Sequence, residues 1–204
     1  MINVTLDTNC IIALEKFREG SADENEKLWA FNLEKLIQMH EEGEIVLRLV
    51  ASSASERQRG GKIPSHFSEF KERVKRLGLG HLEILSTMGH WNIPFWDYGL
   101  WSNDAMEDFE MKIHEILFPD IKYSYKEYCN KRSLVIDEEQ INSKWLNYIL
   151  DTMALWCHLY YGSGIFVTSD RNFRRHKEKL LDLDFTGTLE ILNPEEAVNR
   201  LKNA

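Results

Sequence analysis

The amino-acid sequence predicts an α/β fold with a parallel central sheet of about five strands, flanked by helices and carrying a mostly helical insertion. Short β-prone runs alternate with helical stretches along the chain, which is the pattern that gives parallel strands joined by right-handed crossovers. The run 45–51 is almost continuously apolar, as in a strand covered on both faces. The 204 residues, 43% of them hydrophobic and 28% charged, suffice for one globular domain spanning 1–204.

In the first half of the chain, apolar spacing and stop signals define the elements. Asn9 is the expected cap of the first helix, and Ser21 with Glu24 forms a capping box that opens the second. Gly20 and Gly43 are expected to end these two helices. The expected order is a strand at 2–6, the two helices, the strand at 45–51, a helix at 67–77 and a short strand at 82–85.

The second half is less regular, and residues 88–136 are interpreted as an aromatic-rich insertion packed on the main sheet. Asp137 and Gln140 form a capping signature for a helical stretch over 141–161, which is either one helix or two helices broken near Asp151. The other expected elements are a helix at 106–117, strands at 165–170 and 189–192, and a closing helix that starts at Pro194.

Charge and cysteine content narrow the class of protein. A net charge of −8 argues against broad electrostatic adhesion to nucleic acid or to an anionic membrane, so any contact with nucleic acid should be local. The three cysteines are an odd number and form no C-x-x-C pair, which fits a reducing cytoplasm. No apolar run approaches the roughly 18 residues of a membrane span. We therefore expect a soluble, cytoplasmic protein with no membrane partner.

Acidic residues follow the predicted strands at the places where ligands bind in open α/β sheets. Asp7 ends the first strand, Glu56 follows the second by a serine-rich turn, and Asp170 ends the strand IFVTS. Asp151 lies 19 residues before Asp170, so one helix could return the chain to that strand. Because like charges raise one another's pKa values, four such carboxylates would call for a divalent cation. Mg²⁺ or Mn²⁺ fits oxygen ligands and supports hydrolysis of phosphodiesters.

These acids stand in strings that resemble the PIN-domain ribonuclease family. The opening VTLDTNCIIALE is similar to the first motif of the family, an apolar strand followed by an acid and an apolar helix. Glu56 resembles the second acid, Asp151 in DTMALW the third, and VTSDRNF resembles the element that carries the fourth. The match covers roughly 2–60 and 145–195, while residues 88–136 depart from the compact members of the family.

The resemblance implies an endoribonuclease that depends on Mg²⁺ or Mn²⁺ and cuts single-stranded or exposed RNA. The toxin half of a toxin–antitoxin pair is one role that it allows, with an antitoxin protein as partner. In that interpretation Asp7, Glu56, Asp151 and Asp170 are both the metal ligands and the catalytic residues. The oligomeric state is left open, with a homodimer as one option.

Each acid also has a structural alternative. Asp7 could cap the first helix, although Asn9 is available for that role, and Glu56 could form a capping box with Ser53. Asp151 could be a solvated helix residue, and Asp170 could only form a turn.

Basic residues cluster after two of the acids, and phosphate groups would be attracted there despite the acidic total. The candidate substrate contacts are Asn9, Arg57, Arg171, Asn172 and Arg175. Asn172 either reaches the metal or shapes the turn, and the basic side chains could instead form a solvated helix face. The aromatic residues of 88–136 either stack on unpaired bases or belong to the core.

Two other functions compete with the ribonuclease. A catalytically silent PIN-like module would bind RNA or a protein without cutting, and the presence of all four acids argues for activity instead. A structure-specific DNA nuclease of the related flap-nuclease group would call for a helix-hairpin-helix element, which the sequence does not clearly show.

Overall fold

The computed structural model describes residues 1–54, 67–90, 99–137, 141–162 and 164–203. Five of its strands form one fully parallel sheet in the order β3-β2-β1-β6-β7, which confirms the predicted fold class. A separate parallel pair joins β4 to β5. The strands are β1 (Ile2–Leu6), β2 (Ile45–Val50), β3 (Glu83–Leu85), β4 (Thr87–Met88), β5 (Gly99–Leu100), β6 (Gly164–Val167) and β7 (Leu189–Leu192).

Helices account for most of the remaining described residues. They are α1 (Thr8–Arg18), α2 (Glu24–Glu41), α3 (Phe67–Arg76), α4 (Asp104–Leu117), α5 (Tyr125–Arg132), α6 (Ser143–Tyr160), α7 (Arg171–Arg175), α8 (Lys177–Leu181) and α9 (Pro194–Lys202), with a short 3₁₀ turn at Ala51–Ala54. Helix α6 runs through Asp151 without a break, which decides between the two alternatives for this stretch in favour of one helix. No helix in the described ranges is both long and apolar enough to cross a membrane.

Three helix caps differ from the sequence prediction, each by a few residues. Helix α1 is capped by Asp7, because β1 passes directly into the helix and Asn9 already lies in its first turn. The capping box of α2 is formed by Asp23 and Glu26 instead of Ser21 and Glu24. Helix α6 is capped by Asn142, whereas Gln140 of the predicted signature lies outside the described residues. In each case the observed cap lies closer to the free amides of the first turn than the side chain that the sequence suggested.

Strand alternation explains why helices cover both faces of the sheet. Val4 and Leu6 of β1 point into a core shared with α1, α2, α3 and α9, whereas Thr5, between them, faces α6 through a hydrogen bond to His158. In β6, Phe166 likewise packs with α4, α6, α7 and α8. The result is three layers, with the sheet between two helical layers.

The stretch 88–136 supplies part of the second helical layer. Ile113 and Leu117 of α4 are buried in the same core as Phe166 of β6 and Trp156 of α6. Helix α4 therefore packs on the same face of the sheet as α6. Its carboxyl end lies near the end of β6, because the Asn172 side chain donates to the Leu117 carbonyl over 3.1 Å.

Candidate functional site

The candidate site lies where β1 and β6 end side by side. Because these parallel strands are in register, with Leu6 opposite Val167, Asp7 and Thr168 emerge together at the carboxyl edge of the sheet. The amide of Asp7 still donates to the Val167 carbonyl over 3.0 Å, so the backbone here is fixed by the sheet. The Asp7 side chain is almost completely buried, with 3% of its surface exposed.

Three donors hold the Asp7 carboxylate. Oδ1 accepts from the Thr8 amide over 2.7 Å. Oδ2 accepts from the Thr168 hydroxyl over 2.6 Å and from the Asn9 side-chain amide. The carboxylate thus caps α1, as the structural alternative proposed, and its second oxygen is held by side chains from both strand ends.

Burial raises the pKa of Asp7 to about 6, even though its hydrogen bonds to Thr168, Thr8 and Asn9 act in the opposite direction. The negative charge of Asp170 also raises the pKa of Asp7. The two acids therefore lie close enough to repel each other. A cation between them would relieve both the burial cost and the repulsion.

Thr168 connects the two acids, although the sequence motifs did not mark it as a site residue. Its hydroxyl donates to Asp7 over 2.6 Å. The same hydroxyl accepts from the Asn9 side chain and from the Asp170 amide, both over 3.0 Å. All three hydrogen-bonding positions of the hydroxyl are therefore used. The available signal was its position between the strand and Asp170 in VTSD, where a hydroxyl two residues before an acid can bond to that acid's amide.

Asn9 is a structural link in this site. Its Nδ2 atom donates to Asp7 and Thr168, and its Oδ1 atom accepts from the Ser169 amide over 3.1 Å. Both ends of the amide are thus used to join α1 to the turn that carries Asp170. The candidate role of Asn9 as a substrate contact remains a prediction, whereas its positioning of Asp7 is directly visible.

Asp170 caps the short helix α7 through one of its two oxygens. Oδ1 accepts from the Asn172 amide over 2.6 Å, and within the described part of the chain no donor contacts Oδ2. The Asn172 side chain donates to the Leu117 carbonyl at the end of α4 over 3.1 Å. Of its two proposed roles, Asn172 is thus seen shaping the turn, and Asp170 keeps one oxygen for another partner.

Of the other two predicted acids, only Asp151 lies among the described residues. Asp151 lies half-buried on α6, beside Thr152, whose hydroxyl contacts His114 over 3.0 Å. Across the described ranges, no three His, Cys, Asp or Glu side chains lie close enough to hold a metal ion, so Asp151 completes no triad with Asp7 and Asp170. Glu56 and Arg57 lie outside the described residues.

The turn that precedes Glu56 in the sequence reaches the same edge of the sheet. Ser53 is fully buried, and its hydroxyl lies 2.6 Å from the hydroxyl of Thr8, the residue that follows Asp7. The carboxyl end of β2 therefore meets the carboxyl end of β1 at the site. A cluster of the acids that follow the strands would need the strand ends to meet in this way.

A basic cleft adjoins Asp170 at the carboxyl end of β7. It has a volume of about 570 Å³ and is lined by Arg171, Arg174, Arg175, Lys177, Ile191, Leu192 and Glu196. Arg174 forms an ion pair with Glu196 over 2.7 Å. Arg171 and Arg175 are exposed and form no ion pair within the described ranges. Two of the predicted substrate contacts thus present uncompensated positive charge next to an acid of the site.

The aromatic residues of 88–136 divide between core and surface. Phe118 is buried and packs against Tyr148 with 4.8 Å between ring centroids. Trp101 is 92% exposed. Trp91, Phe95, Trp96 and Tyr98 lie outside the described residues.

The donor set fits a hard divalent cation. Asp7 and Asp170 supply carboxylate oxygens, one of which has no protein donor among the described residues. Mg²⁺ is commonly held by one or two carboxylates together with waters and substrate phosphates, so two protein carboxylates are sufficient. Such a cation does not require a histidine or cysteine ligand at this position.

Comparisons with known proteins add a structural likeness. No protein-family model matches the chain, and no curated protein matches it. Among solved structures, VapBC2 from Rickettsia felis, bound to a DNA fragment from its promoter, aligns with 93% of this chain and 98% of that chain. The identity is 12% and the TM-score is 0.36. At this level the likeness assigns no function to the chain.

Proposed function

We propose that this protein is an endoribonuclease that requires Mg²⁺ or Mn²⁺ and hydrolyses phosphodiester bonds in single-stranded or exposed RNA. The observation that carries the proposal is the pairing of Asp7 and Asp170 at the carboxyl edge of the sheet, next to Arg171 and Arg175, which form no ion pair with any described residue. Two acids that repel each other favour a cation, and the arginines favour a phosphate beside it. Metal-assisted hydrolysis of a phosphodiester can use both.

Asp7 and Asp170 would hold the cation, and Glu56 and Asp151 are proposed as the remaining acids of the site. When bound, the metal supplies Lewis-acid activation of water and stabilisation of the leaving oxygen. Thr168 and Asn9 fix the orientation of Asp7. Arg171 and Arg175 would hold the phosphate backbone beyond Asp170. An antitoxin protein as partner is part of the same proposal and rests on the family resemblance of the sequence.

A catalytically silent RNA-binding module is the alternative. It would share the basic cleft and could keep Asp7 as the cap of α1, but it would gain nothing from a second acid that raises the pKa of Asp7. Such a pair lowers the stability of the metal-free protein, so its presence favours a cation-dependent activity.

The test is cleavage of a mixed single-stranded RNA by purified protein, with Mn²⁺ or with EDTA. We expect cleavage only with Mn²⁺ and its loss in Asp170→Asn. The matched control is Asp184→Asn, which removes an exposed acid and should leave cleavage unchanged. Thermal melts of both variants check folding.

Binding of RNA without cleavage under every metal condition would support the silent module. Equal cleavage by wild type and Asp170→Asn would contradict the assignment of the site.

A further inference from the structure

A second buried acid, Glu110 of α4, lies outside the candidate site and is not used by the proposed function. Its side chain is fully buried. Oε2 lies 2.7 Å from Nε2 of His90 and accepts a hydrogen bond from the Tyr123 hydroxyl. Oε1 is buried and has no hydrogen-bond partner among the described residues. We call His90, Glu110 and Tyr123 the Glu110 cluster.

The Glu110 cluster attaches the segment 86–90 to α4 and α6. His90 at the end of this segment contacts Glu110, and the Ser86 carbonyl at its start accepts from Sγ of Cys157 over 3.4 Å. Between them, the Gly89 amide donates to the Leu100 carbonyl over 3.0 Å. Cys157 beneath the segment is fully buried. The segment therefore lies against this thiol, and the His90–Glu110 contact is the only ion pair of the segment in the described ranges.

The contact depends on the protonation of His90. With a proton on both ring nitrogens, His90 is a cation that donates to Glu110, and the buried carboxylate is compensated. Without that proton, His90 can still donate through Nε2 as a neutral ring, but it no longer places a positive charge beside the buried carboxylate. Losing the charge of one partner weakens a buried ion pair, so the segment would be held by the burial of Met88 and the pairing of β4 with β5 without the support of the ion pair.

The groups around His90 favour its protonated form. Burial opposes the charge, but the charge of Glu110, its hydrogen bond and the charge of Glu107 outweigh burial, so the pKa of His90 is raised above its usual value. The Tyr123 ring contacts the ring of His90. Among the described residues, the charge of Glu110 also acts on His114 of the same helix and on Cys157 of α6.

We propose that His90 and Glu110 form a proton-dependent latch, which holds the segment 86–90 closed over Cys157 while His90 is protonated and releases it when that proton is lost. The closed state binds the proton more tightly than the open state. Closure is therefore fully favoured below the ordinary histidine pKa of 6.5 and is lost as the pH rises through the raised pKa of His90.

The experiment measures alkylation of Cys157 by iodoacetamide in the folded protein, read by peptide mass spectrometry across a pH series. Cys129 is also buried and serves as the internal reference for thiol ionisation and global opening, whereas Cys10 is not used because the charge of Asp7 acts on its thiol. Above pH 6.5, we expect the rate at Cys157 relative to Cys129 to rise about tenfold per pH unit until the pH reaches the pKa of His90. A constant ratio would overturn the latch.

Two variants sharpen the result. His90→Gln removes the titrating group, so we expect fast alkylation of Cys157 below pH 6.5 and a flat pH profile. Asp108→Asn, which removes an exposed acid of the same helix, is the control and should keep the protection and its pH dependence. Equal protection of Cys157 in His90→Gln and wild type would overturn the proposal, as would a rise that is equal at Cys129 and Cys157.

If His90→Gln does not fold, NMR titration of His90 in the wild-type protein decides the question. We expect a midpoint above 6.5 that coincides with the onset of Cys157 alkylation. A midpoint at or below 6.5, or an onset at a different pH, would overturn the latch.

Discussion

Asp7 and Glu110 are both buried carboxylates, yet their surroundings differ in one decisive way. Asp7 has a second acid, Asp170, as its charged neighbour, whereas Glu110 has a base, His90. In the part of the chain that the structure describes, no cation pairs with the two acids of the first arrangement, whereas the acid of the second is paired with His90. Burial alone therefore does not indicate the role of an acid. The sign of the neighbouring charge separates a site that favours an external cation from an internal structural pair.

The largest change in the free energy of unfolding is expected when the His90–Glu110 pair is broken. Glu110→Ala would leave His90 and Tyr123 without their shared acceptor, and we expect a loss of about 3–5 kcal/mol in the free energy of unfolding. Urea unfolding at neutral pH measures it. Asp170→Asn is the comparison, because it relieves repulsion and should leave the metal-free protein at least as stable as wild type. Equal losses in both variants would remove the distinction between the two acids.

The ionisation of Asp7 should make the free energy of unfolding depend on pH. The sign is opposite to that of an acid whose pKa is lowered by folding. The pKa of Asp7 is raised from 3.8 to about 6 in the folded state, so its favourable contribution is complete below 3.8 and is lost as the pH rises through about 6. The shift corresponds to roughly 3 kcal/mol. We expect the stability of metal-free wild type relative to Asp7→Asn to fall across this range.

The measurement is urea unfolding of both proteins in EDTA at several pH values, repeated with Mn²⁺. Above pH 6, Mn²⁺ should restore the free energy of unfolding of the wild type but not that of the variant, because a bound cation favours the ionised acid. A stability difference that does not change between pH 3.8 and 6 would contradict the raised pKa.

Thr168 tests whether the orientation of Asp7 matters as well as its charge. Thr168→Val keeps the shape of the side chain but removes the hydroxyl that joins Asp7 to Asn9 and to the Asp170 amide. Groups that orient metal ligands typically contribute 10–100-fold to metal affinity or activity, and we expect a loss of about that size. Mn²⁺ titration and RNA cleavage measure it. Thr168→Ser is the control, since it restores the hydroxyl, and failure of Ser to recover the loss would assign the effect to packing.

The sequence was sufficient to predict the sheet, because the sheet depends on local patterns, whereas the site at its carboxyl edge remains a prediction. Apolar runs of strand length predicted β2 and β6, and the acids that follow strands marked the carboxyl edge. The helix caps were misplaced by a few residues, since several polar side chains near each helix start could serve and only tertiary packing selects one.

The Glu110 cluster was beyond prediction for a different reason. His90, Glu110 and Tyr123 are separated by 20 and 13 residues and share no motif. Glu110 stands on a helix whose other acids, such as Glu107, are exposed, so its burial follows only from the packing of α4 on α6. Thr168 was overlooked although it stood in a recognised string, because a buried threonine at a strand end is usually structural.

The smallest expected effect concerns the charges that surround the Asp7 site. Arg171 and Arg175 present positive charge in the cleft next to Asp170, in contrast to the Glu110 cluster, where every charge is internal. The double variant Arg171→Ala with Arg175→Ala should weaken binding of single-stranded RNA in EDTA and reduce its salt dependence. For each phosphate that the variant no longer neutralises, the slope of log affinity against log salt concentration should fall by about 0.7. Fluorescence anisotropy over a series of salt concentrations measures the slope.

The control removes the same two positive charges from the last turn of α9, as Arg200→Ala with Lys202→Ala. Since Arg200 is already paired with Glu190, and both residues lie outside the lining of the cleft, we expect a smaller change in slope than in the cleft variant. If both double variants change the slope equally, the RNA responds to net charge alone. A change confined to the cleft variant would mean that phosphate is held beside Asp170, which is where an endoribonuclease built on the Asp7–Asp170 pair must hold its substrate.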